Sequence, residues 1–173
     1  MISSFAGNNH WLSNFEMHPK WPISAFGEKV PSVEHGYQAA KAKWLHARKE
    51  ILEAGSPKDA KMLGKHVELR DDWDEVKELV MHTLLRRKFA YSRLQVKLLS
   101  TLVSKQVLVE GNYWFDTYWG AVEATRANVK RVENTNPDHI KYWVEGDERW
   151  CGLNRLGVLL MQVRDELWNL QGL

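Results

Sequence analysis

The chain holds a single cysteine, Cys151, so no disulfide can form within its 173 residues. A lone thiol without an activating neighbour in sequence reads as a small buried side chain, and the absence of a disulfide framework fits a reducing compartment. No apolar run approaches the ~20 residues that span a bilayer. The N-terminal Met1-Ile2-Ser3-Ser4-Phe5 lacks the basic and apolar regions of a signal peptide. The expected location is therefore the cytoplasm, with no membrane partner. Charge of one sign is also lacking: 24 basic against 22 acidic side chains leave +2, a balance that by itself points to neither nucleic acid nor membrane. Several chemistries have no motif here. There is no His-Glu-x-x-His, no Gly-x-x-x-x-Gly-Lys-Ser/Thr and no Gly-x-Ser-x-Gly. Gly152-Leu153-Asn154-Arg155-Leu156-Gly157 has the wrong glycine spacing for a dinucleotide fingerprint. No metal site and no cofactor are expected.

What is abundant is tryptophan, at positions 11, 21, 44, 73, 114, 119, 143, 150 and 168. Each indole brings a large apolar area and one N–H to satisfy. Trp44, Trp73 and Trp168 fall in helical patterns and are expected in the core. Trp11, Trp114, Trp119 and Trp150 fall in loop-like stretches, where they can cover a core or stack on a flat ring.

The pattern predicts one domain over 1–173 of α+β class, mainly helical with a small sheet. A hairpin is expected around Gly27, from Trp21–Phe26 and Glu28–Val30. A long helix is expected from Val33 to Ala54, capped by Ser32 and stopped by Gly55, with Val33, Tyr37, Ala40, Trp44, Ala47 and Ile51 as its core stripe. A short helix follows, capped by Ser56 with Pro57 at its first position and ending near Gly64. Asp72 opens a helix to Phe89, with Trp73, Val76, Val80 and Leu84 on one face. Ser92 opens another, to about Val103. Gln106–Glu110 reads as a strand, and residues 111–152 as mostly irregular with one or two short helices. Gly152–Gly157 leads into the last helix, with Leu156, Leu159, Leu160, Val163, Leu167 and Leu170 on its buried side.

Four clusters are candidates for chemistry. In the first helix Glu34, Gln38 and Lys41 stand at i, i+4 and i+7, hence on one stripe. That is equally the flank of an ordinary amphipathic helix. Leu12-Ser13-Asn14-Phe15 is a polar turn anchored by an aromatic ring. Leu108-Val109-Glu110 with Asp116-Thr117-Tyr118-Trp119-Gly120 offers two carboxylates and stacking rings after a strand end. Gly152–Gly157 opens a helix whose free N–H groups could hold an anion, assisted by Arg155; Asn154 serves there equally well as a plain cap.

In this order the clusters resemble the NADAR family, the YbiA-like N-glycosidases, along nearly the whole chain. The resemblance rests on Leu12–Phe15, Ser32–Gln38 with Lys41, Ala60-Lys61-Met62-Leu63-Gly64-Lys65, Trp73, Met81 and Lys88-Phe89. It continues through Leu108–Glu110, Asp116, Trp119-Gly120, Gly152–Gly157, Leu160-Met161 and Val163-Arg164. No single piece is specific; the ordered set is. Ala121 stands where the family often has a second glycine, and Val122–Trp150 is longer and more charged than expected.

The resemblance implies an enzyme that hydrolyses the bond between a ribose C1′ and a base-like nitrogen, releasing ADP-ribose or a ribose phosphate. The implied substrates are small ribosyl phosphates of the riboflavin pathway or ADP-ribosyl groups, including ADP-ribosylated guanine in nucleic acid. It implies Glu34 in proton transfer and cation stabilisation, Lys41 as a nucleophile passing through a Schiff base, and Asp116 orienting hydroxyls or water. Asn14, Phe15, Gln38, Glu110, Trp119, Gly120, Asn154 and Arg155 are implied to bind substrate, with Trp119, and Trp11 or Phe15, stacking on the base. Burial would lower the Lys41 pKa and Glu34 would raise it; sequence does not give the sum. The competing readings are a non-catalytic ADP-ribose or nucleotide sensor, and a helical scaffold whose tryptophans meet a partner. Oligomeric state is not legible.

Overall fold

The computed structural model describes residues 1–20, 22–144 and 147–170, leaving aside the side chains of 142–144 and 147. The fold is α+β, mainly helical with two small sheets among the described residues. The chain groups into two compact units: His10–Leu94, and Met1–Asn9 with Gln95–Leu173.

In the unit His10–Leu94, β1 (Ile23–Ala25) and β2 (Glu28–Val30) form the expected hairpin, with Ile23 opposite Val30. The expected first residue, Trp21, lies outside the described residues. The two-residue turn Phe26-Gly27 has φ of 56° and 80°, the doubly positive pair whose twist matches paired strands. Helix α1 (Val33–Lys41) starts where expected, because the Ser32 hydroxyl accepts the His35 N–H at 3.3 Å.

The helix expected to run on to Ala54 instead breaks after Lys41 and resumes as α2 (Leu45–Leu52). At Ala42 the backbone turns extended (φ −71°, ψ 133°) and bridges Leu69. The Lys43 N–H donates to Glu68 O at 2.9 Å and the Arg70 N–H to Lys41 O at 2.9 Å. The Arg48 Nε–H donates to Ala42 O at 2.8 Å. These bonds replace the helical ones, so the break leaves few backbone groups bare. Its cost to the expectation is Trp44, which lies 52% exposed rather than in the core, its indole N–H on Glu68 at 2.9 Å. Ala39, Ala42, Ile51 and Ala60 still form a buried cluster.

Helix α3 (Pro57–Gly64) follows its Ser56 cap, and α4 (Trp73–Phe89) buries Trp73, Val80, Leu84 and Phe89. Asp72 does not cap α4 through its side chain; it pairs with Arg70, 2.9 Å from Nη2. Each large apolar side chain buried here is worth about 1.5–3 kcal/mol. Helix α5 (Ser92–Val103) follows, as expected.

In the other unit, Leu108 makes only an isolated parallel bridge with Ile2, and the strand expected over 106–110 lies just beyond, at β3 (Gly111–Asn112). The segment expected to be mostly irregular with one or two short helices holds such a helix, α6 (Arg126–Thr135), but also three strands, β4 (Ala121–Glu123), β5 (Tyr142–Val144) and β6 (Asp147–Cys151). The sheet order is β3-β4-β6-β5, with β3 and β4 parallel and the remaining pairs antiparallel. Strands of two to five residues carry too little alternation to be seen in sequence. Cys151 is buried beside Val122 and Val132, and burial pushes its thiol pKa up, so the plain reading of this residue holds. Helix α7 (Arg155–Asn169) buries Leu156, Leu159, Leu160 and Val163. Leu170, expected on that face, is exposed past its end. Among the described residues no helix is long and apolar enough to cross a membrane.

Candidate functional site

Within the unit His10–Leu94 the structure brings together Asn14, Phe15, Glu34, Gln38 and Lys41. Helical spacing puts Glu34 and Gln38 one turn apart on α1, and both are buried. The Gln38 Nε2–H donates to Glu34 Oε1 at 2.7 Å, fixing the carboxylate by a charge-assisted bond. The Glu34 backbone N–H donates to Asn14 O at 3.0 Å, which ties the Ser13–Phe15 loop to the first turn of α1. Asn14 Nδ2 lies 3.6 Å from Met81 Sδ on α4. Its Oδ1, like Gln38 Oε1, is buried and accepts no hydrogen bond among the described residues.

Gly64 explains how the Gln38 amide is seated. A Cβ built there would come within 2.1 Å of Gln38 Oε1, so only glycine lets α3 approach this side chain.

Lys41 ends the stripe and is half-buried. Its pKa is lowered, first by burial; Glu34 opposes this, while Lys61 and Lys65 reinforce it. Burial therefore wins the contest that sequence left open, and the shift favours the neutral, nucleophilic amine. Lys61 extends over the ring of Phe15, its Nζ 5.6 Å from the centroid. Trp11, one of the rings expected to stack on a base, packs edge-on against Phe89 at 6.1 Å.

One residue of this region carries no role in the sequence reading. Lys88 on α4 is fully buried and its Nζ donates to Ser13 O at 2.7 Å, clamping the loop that carries Asn14. Burial drops its pKa to about 7, against an opposing pull from Glu16. Nearby His18 is held at about 4, by burial and then by the Lys88 charge. The signal was present in sequence: Lys88 continues the apolar stripe of Met81, Leu84 and Leu85, where a cation is out of place.

The second unit holds Glu110, Asp116, Trp119, Gly120, Asn154 and Arg155, and most of their polar atoms serve the fold. Asp116 Oδ1 accepts the N–H groups of Tyr118 (3.1 Å) and Trp119 (2.9 Å), making a tight turn. Trp119 is half-buried, edge-on to Tyr118 at 5.1 Å. Gly120 lies against Glu110 O, where a built Cβ would come within 2.4 Å.

The expected anion seat at the start of α7 is corrected. The N–H groups of Leu153, Asn154, Arg155 and Leu156 donate at 2.7–3.0 Å to the carbonyls of Thr117, Gly120, Tyr118 and Trp119. Those donors are consumed by the preceding loop, so they are not offered to a phosphate. Asn154 does not cap the helix through its side chain, and its buried amide has both ends engaged. Oδ1 accepts the Glu110 N–H at 2.9 Å, and Nδ2 donates to Leu108 O at 2.9 Å. It positions the Leu108–Glu110 segment instead of presenting a free group to sugar oxygens. Arg155 is half-buried at the head of α7.

A family model described as the NADAR domain matches residues 4–168, running through both units. N-glycosidase YbiA of Shigella sonnei (strain Ss046) is 33% identical over 169 residues, covering 96% of this chain and 88% of that protein. A riboflavin biosynthesis protein of Vibrio vulnificus (strain YJ016) is 28% identical over 162 residues, covering 92% of this chain but 36% of that protein. Among solved structures, the NMR structure of the E. coli protein YbiA superposes with a TM-score of 0.70 at 31% identity, covering 98% of this chain and 84% of that one.

Proposed function

Because this chain belongs to the NADAR domain family and is a hydrolase of N-glycosyl bonds, we propose that Glu34, Gln38 and Lys41 are the centre of its active site. Its substrate, in this reading, is a ribosyl phosphate or ADP-ribosyl group joined to a base-like amine. Residues 1–173 act as one such domain, in the cytoplasm, without a cofactor. The riboflavin link of the Vibrio relative favours small ribosylamine phosphates. ADP-ribosylated guanine in nucleic acid is the second substrate class.

One observation carries the reading: a buried carboxylate held by Gln38 at 2.7 Å, on the same helix stripe as a lysine whose pKa is lowered. Cleaving C1′–N builds positive charge on the sugar and negative charge on the departing nitrogen. In the substrate complex Glu34 carries a proton, delivers it to that nitrogen and, once ionised, stabilises the sugar cation. Lys41, as the neutral amine, bonds to C1′ as the bond from C1′ to the base nitrogen breaks. One Nζ proton passes to O4′ as the ring opens, leaving a protonated imine between Nζ and C1′. Water then adds at C1′, its surplus proton returns to Glu34, Lys41 departs as the neutral amine, and the net change is one water consumed. Phe15, in the loop that the Glu34 N–H bonds to, stacks on the base in this scheme.

The test is product analysis by mass spectrometry on ribosylamine phosphates and ADP-ribosylated DNA side by side. Wild-type protein should release the free amine from one of them. Glu34→Gln should lower kcat by about 10²–10⁴-fold with an unchanged melting temperature. Release from neither substrate, or undiminished turnover in the variant, would contradict the assignment.

A further inference from the structure

The phosphate of the proposed substrate needs a seat, and the donors expected at the head of α7 are taken by the Thr117–Gly120 loop. We infer that Lys61 on α3 and Lys65 at its C-terminal cap, beside the Glu34-Gln38-Lys41 stripe, bind the 5′-phosphate of the ribosyl substrate and set the enzyme's preference for phosphorylated sugars. This rests on the ribosyl-phosphate reading proposed above and deepens it.

Three observations carry it. First, Lys61 and Lys65 stand at i and i+4 around Gly64, the residue that touches the Gln38 amide, so α3 meets α1 beside the proposed catalytic stripe. Second, neither ammonium has an ion pair or hydrogen bond among the described residues. Lys61 reaches over Phe15, in the loop whose Asn14 carbonyl anchors Glu34. Lys61 and Lys65 both act on Lys41 as like charges, against one opposing carboxylate, Glu34. Such an excess of like charge is relieved by a bound anion, and a phosphate dianion matches two ammonium groups. Third, Asn14 Oδ1 and Gln38 Oε1 flank Glu34 as buried acceptors that take no hydrogen bond among the described residues. Lysines can only donate and these oxygens can only accept. A sugar hydroxyl can supply a missing donor while a phosphate oxygen meets the lysines, so one ribose phosphate suits both kinds of group.

Calorimetry with ribose 5-phosphate and with ribose tests this without requiring turnover. Wild-type protein should bind ribose 5-phosphate about ten- to a hundredfold more tightly than ribose, the usual reach of charge-assisted hydrogen bonds. The double variant Lys61→Met, Lys65→Gln, which keeps the long stem over Phe15, should bring that ratio close to one. A ratio unaltered in the double variant, or no preference for ribose 5-phosphate in wild type, overturns the inference. Absence of turnover on every substrate would sink the glycosidase reading instead, leaving the calorimetric result to stand or fall alone. Where turnover is present, KM for a ribosylamine 5′-phosphate and for an ADP-ribosylated oligonucleotide tells a phosphate monoester from a pyrophosphate. A rise in either supports the inference, and a rise in neither contradicts it.

Discussion

The α1 stripe and the loop before α7 are both polar, yet they are polar in different ways. At the head of α7 the backbone closes on itself: four amides meet four loop carbonyls, Asp116 Oδ1 takes two amides, and both ends of Asn154 take backbone. Around α1, two buried amide oxygens take no hydrogen bond among the described residues, and Lys61 and Lys65 lack carboxylate partners there. A closed set of hydrogen bonds stabilises and positions. An incomplete set is costly to keep buried and is relieved by what the protein binds. The contrast sets the backbone pins at the head of α7 apart from the side chains around α1.

That contrast can be broken in three ways, taken from the largest effect down. Asn154→Ala leaves the Glu110 N–H and Leu108 carbonyl without partners, and should cost about 3 kcal/mol of stability in a chemical denaturation curve. The surviving folded protein should keep Glu34 chemistry; a stability loss below about 0.5 kcal/mol would mean the amide is not a structural pin. Gly64→Ala drives a methyl into Gln38 Oε1 and should lower kcat about a hundredfold, as a misplacement of 1 Å near the reacting groups does. Steady-state rates within threefold of wild type would show that the Gln38–Glu34 bond is not what orients the carboxylate. Lys88 is subtler. Its folded pKa of about 7 lies below the ordinary lysine value, so the unfolded chain binds more protons between pH 7 and about 10. This residue therefore makes stability rise with pH across that window, by up to about 1.4 kcal/mol per unit, and Lys88→Met should flatten the rise. Denaturation curves at pH 7, 8 and 9 that are parallel in both proteins would remove the buried-cation account.

Much of the first unit was legible because its signals are local. Ser32 and Ser56 mark helix starts within three residues of the amides they accept, and Gly27 sits in a two-residue turn. The stripe of Glu34, Gln38 and Lys41 follows from helical spacing alone. The break after Lys41 was not legible, since the bonds that replace the helix come from residues 68–70 and no glycine or proline announces it. The small sheet was missed for want of strand length. Asn154 was misjudged because a cap position in sequence does not reveal a left-handed residue (φ 48°) whose side chain reaches back to residues 108 and 110. Lys88 is visible as a letter, but its burial and its bond to Ser13 O come from a helix packed against a distant loop.

The central claim is that the chemistry is done on α1, with Lys41 attacking C1′. Borohydride reduction during turnover of a ribosylamine phosphate or ADP-ribosylated DNA, followed by peptide mass spectrometry, tests it most directly. The account predicts a sugar adduct on the peptide bearing Lys41 that vanishes in Lys41→Ala. An adduct that persists in that variant, or turnover with no trappable adduct, would contradict it.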